Sequence, residues 1–140
     1  MGKEYESDWV ERAHWFAVRV LRLANKVPRT PVGLAVADQI SRSVLGISYN
    51  LEEARAALTE PDTLNKTAYA KKESYETRRA LMLIRDVSLL PPSESAELAA
   101  LIDEGGAFVA MLTAGTKRLQ ERIARTRMAS RGARAGSSGR

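Results

Sequence analysis

The chain has no cysteine, which excludes a disulfide framework, a thiolate metal site and a cysteine nucleophile. Histidine is nearly absent too. His14 stands alone, so no pair of imidazoles can hold a metal. Glu11-Arg12-Ala13-His14 matches Glu-x-x-His, but a di-iron bundle needs that motif twice with two further inward glutamates. No metal and no cofactor are therefore expected. Ser41, Ser43, Ser48 and Ser74 have no histidine partner at a useful spacing, and no Gly-x-Ser-x-Gly elbow occurs. A glycine-rich phosphate loop, a zinc finger and an RNA-recognition signature are also missing. These absences argue against an enzyme. No apolar run approaches the roughly 18 to 20 residues of a spanning helix, and MGKEYESDWVER lacks the basic-then-apolar order of a secretory signal. The expectation is a cytoplasmic protein with no membrane partner.

Proline is scarce, and its five copies are placed as punctuation. Pro28 and Pro31, then Pro61, then Pro91 and Pro92 divide the chain into four segments with helical periodicity. The first, opened by Asp8 and Glu11 as a capping box, carries Trp9, Ala13, Phe16, Val20, Leu23 and Val27. A second, from Val32 to Leu58, has the stripe Ala37, Ile40, Val44, Ile47, Leu51, Ala54 and Leu58. The third starts at Pro61 and turns apolar only late, at Ala80, Leu81, Met82, Leu83, Ile84 and Val87. A fourth carries Leu98, Leu101, Ile102, Phe108, Val109, Leu112, Leu119 and Ile123. Tight loops between long helices and no strand signal predict an all-α, antiparallel up-down-up-down four-helix bundle. Residues 1–7 read as an N-terminal extension, 8–126 as the bundle and 127–140 as a disordered basic tail.

Charge is uneven. From Lys117 onward stand Lys117, Arg118, Arg122, Arg125, Arg127, Arg131, Arg134 and Arg140 against the single acid Glu121, a charge of +7 in a chain of net +5. Such an end suits phosphate backbones or an acidic protein surface. Lys117, Arg118, Arg122, Arg125, Arg127, Arg131 and Arg134 are the expected nucleic-acid contacts. No base-reading element is visible, so shape and charge are expected to govern binding.

Beside its main stripe the second helix carries Leu34, Leu45 and Tyr49, and the first helix has outlying Trp15 and Val18. This surplus predicts a subunit interface. Ser43 and Asn50 lie on the edge of the core stripe beside Gly46 and Gln39, with Glu76, Thr77 or Arg78 as candidate partners that would fix register. Glu52, Glu53, Glu73 and Glu76 could form a carboxylate pair, but near Lys71, Lys72, Arg78 and Arg79 they read instead as ion pairs between the second and third helices.

Gln39, Arg42-Ser43, Ile47, Asn50, Glu53-Ala54 and Ala57 together resemble the "Q-x-x-R-S-x-x-S-x-x-x-N-x-x-E-A-x-x-A" helix of a bacterial four-helix bundle family. Its members are relatives of the 23S rRNA intervening-sequence protein and include accessory variability proteins of diversity-generating retroelements. Lys72-Glu73 and Glu76-Thr77-Arg78, followed by Leu81, Leu83 and Ile84, are similar to its "K-E-x-x-E-T-x-x-x-L-x-L-I" helix. The family's serine is Gly46 here, a small residue is Tyr49, and an aromatic is Ala80. The resemblance implies a homopentameric ring with a basic surface, and in the retroelement members a reverse transcriptase and its RNA as partners. The expected function is a non-enzymatic, oligomeric helical adaptor for nucleic acid, structured RNA above all. A protein–protein scaffold that binds no nucleic acid is the alternative.

Overall fold

A computed structural model describes residues 2–139. Four helices follow one another: α1 (Gly2–Ala24), α2 (Pro31–Ala56), α3 (Glu60–Asp86) and α4 (Ser95–Ser137), the last preceded by a 3-10 turn at Pro92–Glu94. Among the described residues there is no strand. The all-α four-helix bundle is as the sequence implies.

Each connection is closed by local chemistry. Thr30 caps α2, its Oγ1 accepting from the Gly33 amide at 3.1 Å, with Pro31 in the first turn. Thr59 caps α3 in the same way through the Asp62 amide at 3.3 Å, and Glu60 and Asp62 complement the positive end of that helix. At the end of α3 the Leu89 amide donates to the Ile84 carbonyl (3.1 Å) and the Ser88 amide to the Arg85 carbonyl (3.1 Å). This is a Schellman motif, and its left-handed position is held by Ser88 at φ 57° rather than by glycine. Replacing Ser88 with glycine removes the Cβ crowding of that conformation. We expect Ser88→Gly to stabilise the fold by about 1 kcal/mol, seen as a higher denaturant midpoint with an unchanged slope.

The core runs along the bundle axis through Phe16, Val20, Leu23, Ile40, Val44, Ile47, Leu81, Ile84, Leu101, Phe108 and Leu112, all essentially water-free. α2 packs broadly on α1 and α3, and α3 on α4, whereas the backbones of α1 and α4 approach closely at few places. Large side chains fill that wider seam. Phe16 and Phe108 stack with centroids 5.2 Å apart, and the Arg12 guanidinium lies 5.6 Å over the Phe108 ring. Trp9 reaches Gly115, where a methyl group would meet the indole at 2.6 Å. Ion pairs Arg12–Glu104, Arg19–Glu97 and Lys26–Glu94 run along the outside of the seam. At the surface each contributes little, so the aromatic contacts hold the seam.

Several expectations need correction. Asp8 caps nothing, because α1 already begins at Gly2 and no breaker interrupts it before Asp8. Leu58, taken as the end of the α2 stripe, is 97% exposed in the loop beyond the helix. One stretch of α4 is, by length and composition, apolar enough to cross a membrane. Its Leu98, Leu101, Ile102, Phe108 and Leu112 face the core instead. The predicted disordered tail is helix as far as Ser137. Loss of apolar periodicity signals loss of packing, not loss of helix, and alanine and arginine favour helix strongly. The ends of the proposed extension and tail, Met1 and Arg140, lie outside the described residues.

Candidate nucleic-acid interface

From Ala124 to Gly139 every residue is exposed, so the end of α4 leaves the bundle as a single helix for roughly 20 Å. At about 100° per residue its cations fall into two groups. Arg118, Arg122 and Arg125 share one arc near the bundle, while Arg127, Arg131 and Arg134 share an arc nearly opposite, farther out. Lys117 lies between them and is exposed. Arg122 Nε donates to Glu60 Oε2 at 2.6 Å, tying the base of the projection to the start of α3. The seven predicted contacts are thus all on the surface, but they do not form one patch.

The family-motif residues divide between core and surface. Ser43 and Thr77 are buried, their hydroxyls 2.8 Å apart across α2 and α3, and Ser43 Oγ donates onward to the Ile40 carbonyl at 3.2 Å. Asn50 does not cross to α3; its Nδ2 donates to the Gly46 carbonyl of its own helix at 2.8 Å. Gln39 and Arg42 are exposed, with Arg42 paired to Asp38 at 3.0 Å. Glu53 pairs with Lys66 across α2 and α3 at 3.0 Å, while Glu52 pairs with Arg55 on its own helix. Arg78 lies over Gly105 and Gly106, whose missing side chains give its stem room.

Glu73 and Glu76 do not form the expected ion pairs. They meet each other. Glu73 folds over Gly46, where a Cβ would lie 2.8 Å from its Cγ and Cδ. Burial, then the neighbouring Glu76 carboxylate and a hydrogen bond shared with it, pushes the Glu73 carboxyl up, against a smaller opposite pull from Lys72. The folded state therefore holds this proton more tightly than the unfolded chain. Its contribution to stability is present below the ordinary carboxyl value of 4.5 and is lost as pH rises from there through the raised value. Glu73→Gln is expected to flatten that part of the pH–stability profile, measured by chemical denaturation between about pH 4 and 7. Parallel profiles for the two proteins would sink this account.

Of the candidate interface residues, Trp15, Leu34 and Tyr49 are largely exposed, and Val18 and Leu45 half-buried, on the adjoining helices α1 and α2. The Trp15 indole donates to Glu11 at 3.0 Å and meets the edge of exposed His14. Among the described residues no cluster of three metal-ligating side chains occurs.

A second basic surface lies on α3. Lys71, Lys72, Arg78 and Arg79 surround Tyr75 on its outer face, and none has a salt-bridge partner among the described residues. Next to it a groove of about 420 Å³ runs between α3 and α4. Sequence reasoning assigned these cations to ion pairs between the second and third helices with Glu52, Glu53, Glu73 and Glu76. The available signal was a tyrosine set among lysines and arginines at three- and four-residue steps.

A sequence profile of the 23S rRNA-intervening sequence protein family matches residues 6–111. The fold is similar to the crystal structure of a protein with unknown function from the S23 ribosomal protein family of Bacteroides thetaiotaomicron VPI-5482. The TM-score is 0.70 at 23% identity, over 80% of this chain and 97% of that one. No curated protein matches.

Proposed function

Because the chain belongs to the 23S rRNA-intervening sequence protein family, we propose that it is a non-enzymatic helical adaptor that binds structured RNA in the cytoplasm. The carrying observation is the last part of α4, which from Lys117 to Ser137 carries seven cations and one acid, four of those cations on the stretch that leaves the bundle, on an otherwise slightly acidic protein. The family match stops at residue 111, ahead of Lys117, so the basic stretch of α4 supports the reading separately from the match. Phosphates are contacted by Lys117, Arg118, Arg122, Arg125, Arg127, Arg131 and Arg134, the cations nearest the bundle giving a fixed edge and the distal three an arm. Binding by charge and shape alone carries little sequence preference.

The finer parts of this reading are an oligomer, a pentamer by resemblance, built on Trp15, Val18, Leu34, Leu45 and Tyr49, and a reverse transcriptase as protein partner. Exposed apolar side chains on α1 and α2 support the first. A ring multiplies the charge of each arm through avidity. The second rests on the resemblance and is tested by copurification with the enzyme and its RNA.

The deciding experiment is an RNA titration at several salt concentrations together with a mass measurement. Seven phosphate contacts predict a slope of log K against log salt of roughly −5 to −6. A well-formed oligomer that binds no RNA at low salt would replace the adaptor with a protein-interaction scaffold, the reading favoured by Trp15, Leu34 and Tyr49.

A further inference from the structure

The groove between α3 and α4 is lined by Lys71, Lys72, Tyr75 and Glu76 on one side and Thr116 and Gln120 on the other. We propose that it seats one unpaired nucleotide of a bound RNA, the base stacking on Tyr75, with the strand continuing along α4 to Arg127, Arg131 and Arg134. The proposal rests on the RNA-binding reading above and gives it a defined point of contact.

Three observations lead to it. The groove, of about 420 Å³, is open to solvent along the α3–α4 seam, so a strand can enter it from the side. Tyr75 is 53% exposed, and its phenol has no hydrogen-bond partner among the described residues. An aromatic ring left open between two lysines is a platform for a base, because every base has a stacking face and its phosphate needs a cation. Lys71 and Lys72 precede Tyr75 by one helical turn, on either side of it. Glu76 and Gln120 supply the polar edge, a carboxylate to accept from an exocyclic amino group and an amide to donate or accept.

The second link is one of register. Thr116 and Arg134 are eighteen residues apart, about five full turns, so they point in the same direction from α4. Gln120, Arg127 and Arg131 fall in the same arc. The face of α4 that borders the groove is therefore the face that carries the distal arginines. A strand seated at Tyr75 that follows this face first meets Arg127, about 10 Å beyond Gln120, and then Arg131 and Arg134.

The test uses the full chain with Tyr75→Ala and Tyr75→Phe. The probes are an unstructured single-stranded RNA of about 12 nucleotides containing 2-aminopurine and a blunt RNA duplex of the same sequence. The expected result is a loss of about five- to a hundredfold for the single strand with Tyr75→Ala, and little change with Tyr75→Phe. The duplex is bound equally by all three proteins, and 2-aminopurine quenching disappears only in Tyr75→Ala. Unchanged single-strand affinity and quenching in Tyr75→Ala overturns the groove while leaving RNA binding intact. Equal losses for strand and duplex also overturn it. Failure of the unaltered chain to bind either RNA overturns the RNA reading and the groove together.

Discussion

A chain ending at Thr126 is expected to bind RNA about a hundredfold or more weakly near 0.1 M salt, with its fold unchanged. The cut removes Arg127, Arg131, Arg134 and Arg140, and leaves Lys117, Arg118, Arg122 and Arg125. Each lost phosphate contact releases fewer counterions, so the slope of log K against log salt falls from roughly −5 or −6 to roughly −3. Between 50 and 200 mM salt, the full chain should lose about three orders of magnitude in affinity and the shortened one about two. Arg122 already shares its charge with Glu60, which places the shortened chain at the weaker end of this range. The fold is spared because every described residue removed is exposed. A thermal midpoint that drops with the truncation would show that the arm packs on the bundle. An unchanged slope would remove the distal arginines from the interface.

Gly33→Ala should be the most damaging single methyl addition in the bundle. In the interior of an ordinary helix this change gains about 1 kcal/mol. Here the added Cβ would lie 1.8 Å from the Pro28 carbonyl oxygen and 3.2 Å from the Thr30 hydroxyl. The obstacle is backbone, so the α1–α2 turn must open, disturbing the Thr30 cap and buried Val27. We expect a loss of about 3 kcal/mol, or roughly 10 °C in the thermal midpoint. Gly46→Ala is the control. The nearest atoms its methyl meets are the Cγ, Cδ and Oε2 of the flexible Glu73 side chain, which can swing away. That variant should be close to neutral. If both substitutions behave alike, the turn is not built as described.

What the sequence made legible follows from periodicity. The stripe Ile40, Val44, Ile47, Leu51 and Ala54 is buried as its spacing implies, and the prolines stand at the helix junctions. Periodicity reports packing and is silent elsewhere. It missed the helical arm beyond Arg127, where no neighbour imposes a pattern. It also could not favour the Glu73–Glu76 contact over ion pairing, because Glu73 folds into the space left by Gly46 on another helix. The groove at Tyr75 was obscured for a different reason. Opposite charges on the second and third helices suggest pairing across them. Among the described residues, however, Lys71, Lys72, Arg78 and Arg79 reach no carboxylate of α2, and Glu73 folds over Gly46 instead. Gly33 passed unnoticed because the crowding there is set by a carbonyl five residues earlier.

The arm at the end of α4 grows from a stem that is already folded, so it escapes the nucleation cost a free peptide of its length would face and frays only from its tip. It is also a run of arginine peptide bonds with no cover. A trypsin-like protease acting there would leave a trimmed bundle, intact by every measure of folding and stripped of most of its affinity for RNA. Bound RNA would shield the same bonds. If the arm binds as proposed, proteolysis would separate recognition from folding, and a preparation sound by its stability would have lost its binding part.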